Sequence, residues 1–211
     1  MSISLKIIDS IKSIEKNINS AIAIEINNIL SSKQNYLLSE VKKRIPLWIE
    51  SQPEIISLKS NDIFSLAGQL GIPGDVTYVV NAITNAVKES TSIKFIKYTP
   101  NLKGVGLELH FQPSDFKNLL SLNEGHVNYN NGDLHWLDWL LIKGNAVIIT
   151  NYQYNPSTGL GRSGLGNMIP GNFFRIPPQF AGTIQDNFVT RAFLNQNVEN
   201  EILNLFKSVL S

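Results

Sequence analysis

Isoleucine recurs as Ile7, Ile11, Ile14, Ile18, Ile22, Ile26 and Ile29, three or four residues apart at each step. No other feature constrains the chain as strongly. With 3.6 residues per helical turn, steps of three and four return side chains to one side, so these isoleucines draw one stripe down an amphipathic helix. A second helical stretch follows in "NYLLSEVKKRI". Pro46 is predicted to end it, because proline has no amide hydrogen to donate and restricts the residue before it.

Residues 60–90, "SNDIFSLAGQLGIPGDVTYVVNAITNAVKES", read as two more helices with their punctuation written in. Ser60 or Asn61 is predicted to cap the first. Gly71 suits the left-handed position after it, Pro73 blocks continuation, and Asp75 can cap the second. Residues 1–90 are therefore expected to be mainly helical.

From residue 91 the pattern changes. "SIKFIKY" and "VGLELHFQ" are short, β-branched or alternating runs separated by "TPNLKG", and they predict a hairpin. A short helix starting at Ser114 or Asp115 is expected in "PSDFKNLLSL", a turn in "NYNNGD", a compact helix in "LHWLDWLLIKG" stopped by Gly144, and a strand in "NAVIITNYQY". Residues 155–186 show no periodicity and read as one long loop, of a kind that tends to be functional or contact-making. Val198, Ile202, Leu205, Phe206 and Val209 then form a second helical stripe. The expected class is α+β in a single domain spanning 1–211: a helical N-terminal part, a small mostly antiparallel sheet, the 155–186 loop, and a C-terminal amphipathic helix.

Composition removes several functions. At 211 residues, 43% hydrophobic and 17% charged, the chain has enough material for a sizeable core. Its formal net charge of +1 argues against a wholesale polyanion binder. It has no cysteine, which rules out disulfides, thiolate metal ligands and thiol nucleophiles. Lys6, Asp9, Lys12, Glu15 and Lys16 interrupt the first stretch, so neither a signal core nor a membrane span is expected.

The most suggestive chemistry is "GLGRSGLG", residues 159–166. Gly159, Gly161 and Gly164 match the dinucleotide fingerprint in letters. That motif works only where its last glycine opens a helix whose amide ends receive a pyrophosphate. The next residues, "LGNMIPGNFFRIPP", carry Pro170, Gly171, Pro177 and Pro178, which do not sustain such a helix. A phosphate-cradling loop would need lysine and a hydroxyl after its last glycine, and a serine elbow would need glycine two residues beyond Ser163, where Leu165 stands.

His126 and His135 lie near Glu124, Asp133 and Asp138, but without the spacing that places two ligands on one helical face. Trp136 and Trp139 sit among leucines at helical spacing and read as packing residues. Lys42, Lys43 and Arg44 form the one basic run, and it reads as a solvated helix end. No catalytic residue, cofactor-binding residue or metal ligand is assigned.

One combination over residues 134–211 goes further. The order "WLDWLL", glycine, "VIITNYQY", "GRSGLGNM", "FRIPPQFAGT", "NFVTRAF" resembles a group of structural proteins from tailed bacteriophages, the head-to-tail connector (neck) or tail-completion proteins. The resemblance implies a small α+β domain whose C-terminal helix is introduced by an aromatic-plus-alanine segment, here Asn187 to Phe193. It implies a non-enzymatic virion protein made in the host cytoplasm, assembling as a homo-oligomeric ring with other neck, portal-adaptor or tail proteins. DNA would pass through the lumen without specific binding, and no membrane would be involved. Arg162, Ser163, Met168, Phe173, Phe174 and Arg175 are the expected subunit-contact residues, since arginine, methionine and aromatic side chains are enriched at interfaces. The alternatives are a small enzyme using the glycine loop or the His126/His135 region, and a DNA-binding accessory protein using the basic run.

Overall fold

A computed structural model describes residues 9–104, 106–129 and 132–210. Ile7 and Val105, and Asn130 and Asn131 of the expected turn, lie outside the described residues. The first element is one helix, α1 (Ile11–Glu50), of 40 residues. At 1.5 Å per residue it is about 60 Å long. Ser10 opens it by accepting a hydrogen bond from the Ser13 amide at 3.2 Å.

Pro46 does not end this helix, contrary to the sequence expectation. It sits inside the last turns of α1, and the chain stays helical to Glu50. An interior proline costs about 3 kcal/mol in a helix that nothing else holds. Here Val41, Ile45, Trp48 and Ile49 are buried on either side of it, and that packing outweighs the lost backbone bond. The stop comes at Ser51, whose amide donates to the Leu47 carbonyl at 3.1 Å.

Three helices come next: α2 (Pro53–Lys59), α3 (Leu66–Leu70) and α4 (Val76–Ser90). Pro53 takes the first position of α2, where its missing donor does no harm. The cap of α3 is Ser65, which accepts from the Gly68 amide; Ser60 and Asn61 lie too early to serve. Gly71 does take the left-handed conformation, with φ of 63°. Its amide donates to the Gly68 carbonyl and that of Ile72 to the Ala67 carbonyl, which satisfies two of the carbonyls left open at the end of α3. Asp75 caps α4 through the Thr77 amide at 2.8 Å.

The β structure is three separate antiparallel pairs among the described residues, where one small sheet was expected. Strands β1 (Ser92–Ile96) and β2 (Gly106–His110) form the predicted hairpin. It hangs on α1: the Asn27 side chain donates to the Tyr98 carbonyl at 2.9 Å and accepts from its amide at 2.8 Å, and Gln34 donates to the Ile93 carbonyl at 2.8 Å. After α5 (Lys117–Leu120), β3 (His126–Tyr129) pairs with β4 (Gly132–His135). The helix expected over "LHWLDWLLIKG" shrinks to α6 (Leu137–Leu141), because Leu134 and His135 belong to β4.

Residues 155–186 are not one loop. Gly166–Phe174 forms β6, which pairs along β5 (Ile149–Pro156) with a bulge between Thr150 and Tyr152. The loop proper contracts to the turn 157–165 and the connection after Phe174. Then come α7 (Phe188–Phe193) and α8 (Gln196–Leu210). Asn187 and Thr190 cap α7 reciprocally, and the buried Asn187 amide group also donates to the Thr183 carbonyl at 2.8 Å.

One continuous apolar cluster joins these elements. It runs from Leu37, Val41, Ile45 and Ile49 of α1 through Ile55, Leu66, Ile83 and Val87 to Trp136, Leu140, Phe188 and Leu205. Trp136 is wholly buried with its indole donating to the Glu124 carbonyl at 3.1 Å, in line with a packing role. No helix among the described residues is long and apolar enough to cross a membrane.

Candidate interaction surfaces

The glycines of "GLGRSGLG" are explained by the turn between β5 and β6. Gly159, Gly161 and Gly164 all have φ near +70°, a region that side chains with a β-carbon rarely adopt. The Gly159 amide closes the turn on the Gly164 carbonyl at 2.8 Å. The chain then enters strand β6, whereas the dinucleotide motif requires its last glycine to open a helix.

Gly166 has another reason. The Tyr154 ring lies against it where a β-carbon would have to go. The Tyr154 hydroxyl sits 2.6 Å from the Ile63 carbonyl and 3.0 Å from that of Leu165, and its single proton bridges the ribbon to the segment before α3.

The six expected contact residues divide. Arg162 is exposed but engaged with its own chain: its guanidinium donates to the Asn128 carbonyl and lies 5.1 Å from the Tyr129 ring centre. Ser163 accepts from the Leu165 amide at 3.3 Å, inside the turn. Met168 is half-buried opposite Tyr154, and Phe174 is buried. That leaves Phe173, 48% exposed, with the exposed Arg175 guanidinium stacked 5.6 Å from its ring centre.

These two stand on a ribbon that pairs with no third strand among the described residues. Its outer rows of amides and carbonyls are the kind of edge on which another strand can dock. Val147, Ile149 and Tyr152 add exposed apolar area beside it.

His126 and His135 are brought face to face, which no helical spacing could have foretold, because they are register partners across β3 and β4. Their ring centres are 3.8 Å apart and nearly edge-on. Each imidazole is held by a carboxylate: His126 Nδ1 lies 2.6 Å from Asp133, and His135 Nδ1 bonds Asp138. Asp138 is also paired with Lys143 at 2.7 Å. No group of three or more histidine or acidic side chains that could hold a metal occurs among the described residues. The arrangement works as a cross-strand clasp.

The basic run is largely spoken for. Lys43 pairs with Glu40, and Arg44 reaches Glu201 of α8 at 3.1 Å and the Glu40 carbonyl at 2.9 Å. Trp48 fastens Glu201 as well, its indole donating to the other carboxylate oxygen at 2.8 Å.

Sequence reasoning did not single out Glu54. Its side chain is wholly buried in α2 and bonded to Arg191 of α7, which also holds Asp186 at 2.6 Å. Burial pushes the Glu54 carboxyl above the usual range, against the pull of the Arg191 guanidinium. The partner lies 137 positions away, so no local signal announces the pair.

The isoleucine stripe proves to be a surface. Ile11, Ile18, Ile22 and Ile29 are 76%, 53%, 41% and 37% exposed, while Ala23, Leu30 and Leu37 of the same helix are buried. Asn27 and Gln34 tie down the body-facing side. At 100° per residue the isoleucine line lies about 120° away from it. Comparison of the chain with protein families, with characterised proteins and with solved structures finds no match.

Proposed function

We propose that this protein is a non-enzymatic structural component of a tailed-bacteriophage virion, forming a ring in the neck as a head-to-tail connector or tail-completion protein. The observation that carries the reading is the β5–β6 ribbon, with open edges and the exposed Phe173–Arg175 stack at its base. A cyclic ring needs two different surfaces on each subunit, one received by the neighbour and one receiving. A two-stranded ribbon supplies the first: its outer edge can add backbone hydrogen bonds while Phe173 enters an apolar seat and Arg175 pairs at the rim.

The resemblance over residues 134–211 supports the same role, and α7 and α8 have the order it implies. The near-neutral net charge suits a part whose lumen lets DNA through without holding it. The partners are then further copies and the portal-adaptor or tail proteins above and below, and the finished location is the virion.

Native mass measurement of the purified protein, together with imaging of purified particles, tests the proposal. A ring mass and density at the neck are expected; a strictly monomeric protein missing from particles overturns it. The competing readings lead elsewhere, to stoichiometric bound metal or nucleotide in the purified protein, or to DNA affinity that falls steeply with salt and depends on Lys42, Lys43 and Arg44.

A further inference from the structure

The isoleucines of the α1 stripe, of which Ile11, Ile18, Ile22 and Ile29 are exposed and Ile14 and Ile26 half-buried, have a spacing that is its own mirror image. From Ile11 through Ile14, Ile18, Ile22 and Ile26 to Ile29 the steps are 3, 4, 4, 4 and 3. Reversed, the series is the same. A second α1 laid antiparallel with its centre over Ser20 therefore places Ile11 opposite Ile29, Ile14 opposite Ile26, and Ile18 opposite Ile22, in both directions at once. That is the condition for a two-fold contact, in which one patch must be complementary to itself.

The rest of the fold says how far such a partner can extend. Helix α8 runs antiparallel to α1 along its C-terminal half: Glu201, near the start of α8, meets Arg44 and Trp48, whereas Leu205, Ser208 and Val209 border a shallow depression with Lys33, Tyr36, Glu40 and Arg44. At 100° per residue, Glu40 and Arg44 share the side of α1 that carries Ile22 and Ile26. So α8 covers this side of α1 from about Lys33 onward, whereas over Ile11–Ile29 the side is mostly open, with Ile11, Ile18, Ile22 and Ile29 exposed and Ile14 and Ile26 half-buried. The open length ends where α8 begins.

From this we infer that the N-terminal half of α1 is a pairing helix for a second copy of this chain, docked antiparallel about Ser20. The partner's helix lies end to end with α8 along the same side of α1 and points the same way as α8. A parallel pair in register would bring the two α8 helices into the same seam beyond Lys33 and force the α1 helices apart; the antiparallel pair places the two bodies at opposite ends. The mean spacing of about 3.6 to 3.7 residues keeps the stripe straight along a helix with little supercoil. Glu15 and Glu25 are likewise centred on Ser20, so the same register sets Glu15 of one copy opposite Glu25 of the other at the seam, a like-charge cost that the apolar contact has to exceed. The contact is two-fold and separate from the head-to-tail contacts of a ring, and it does not rest on the neck reading.

The absence of cysteine makes the test direct. Full-length chains carrying Ile11→Cys and Ile29→Cys are made separately, then oxidised alone and mixed. The expected result is a disulfide-linked dimer in the mixture and little in either alone, because the two positions of one helix lie about 27 Å apart. Efficient linkage of Ile11→Cys to itself would mean a parallel bundle and overturns the inference. In sedimentation over a concentration series, Ile18→Lys with Ile22→Lys should weaken the pairing about a hundredfold or more. Ile24→Lys, exposed on another side of the same helix, should leave it unchanged. Circular dichroism confirms that the body stays folded in each. A wild-type chain that remains unpaired at every concentration, with α1 helical, also overturns the inference.

Discussion

The Tyr154 hydroxyl occupies the space that a side chain on Gly68 would need. A β-carbon there would stand 2.7 Å from the Tyr154 oxygen and 3.0 Å from the Leu165 β-carbon. This contact joins the β5–β6 ribbon to α3, so the attitude of the ribbon depends on residue 68 having no side chain. Gly68→Ala should cost about 1–3 kcal/mol, the range for overfilling a packed contact. Tyr154→Phe should cost about 1–2 kcal/mol by leaving carbonyl groups without a donor. It also removes the oxygen that the new methyl group strikes, so the double variant should lose less than the sum. Urea unfolding of the four proteins measures the coupling.

Glu54 and Arg191 set a pH dependence. Burial raises the folded-state pKa of Glu54 above its unfolded value, so the folded chain holds this proton to higher pH than the unfolded chain does. Stability from this group is therefore fully present at pH below the ordinary glutamate range, and it falls as pH rises from there through the raised folded pKa. Arg191→Met removes the guanidinium that favours the charged form. It should widen the window upward and destabilise the protein at pH 7 by about 2 kcal/mol, less than a fully buried pair because Arg191 is partly exposed. Glu54→Gln on that background should recover most of the loss and flatten the profile. Denaturation midpoints between pH 4 and 8 check both.

Pro46 leaves the Lys42 carbonyl of α1 without its helical donor. Pro46→Ala restores the bond, at the expense of a freer unfolded chain. The expected net effect is a gain of about 1 kcal/mol, read as a rise of about 2–4 °C in Tm for a chain of this size. A fall in Tm would mean that the ring's own packing against its neighbours matters more than the backbone bond.

Pro46 also shows where the sequence is legible and where it is not. Gly71 and Asp75 could be read because a cap is a contact within a few residues. Pro46 breaks helices by the same local reasoning, but burial of Ile45 and Trp48 in a core assembled from distant segments reverses the outcome. Strand β6 escaped notice because Gly166, Pro170 and Gly171 are poor strand residues by themselves; the pairing with β5 makes them one. The isoleucine period correctly marked a helix but carried no information on whether the chain itself covers that face. The His126–His135 clasp and the Glu54–Arg191 pair depend on register and on long-range packing, which spacing does not encode.

Phe173 and Phe174 are adjacent and point to opposite faces of β6, which separates folding from assembly in one experiment. Phe174 is buried beside Tyr154, their ring centres 6.4 Å apart. Phe174→Ala should destabilise the isolated subunit by about 3–5 kcal/mol. Phe173 meets solvent and the Arg175 guanidinium, so Phe173→Ser should change subunit stability by no more than about 0.5 kcal/mol. If the ribbon is the ring contact, the exposed pair is where association is lost. Phe173→Ser with Arg175→Glu should then leave thermal unfolding of the subunit intact while abolishing the ring mass in native mass spectrometry. Retention of the ring by that double variant would move the subunit contact off the ribbon.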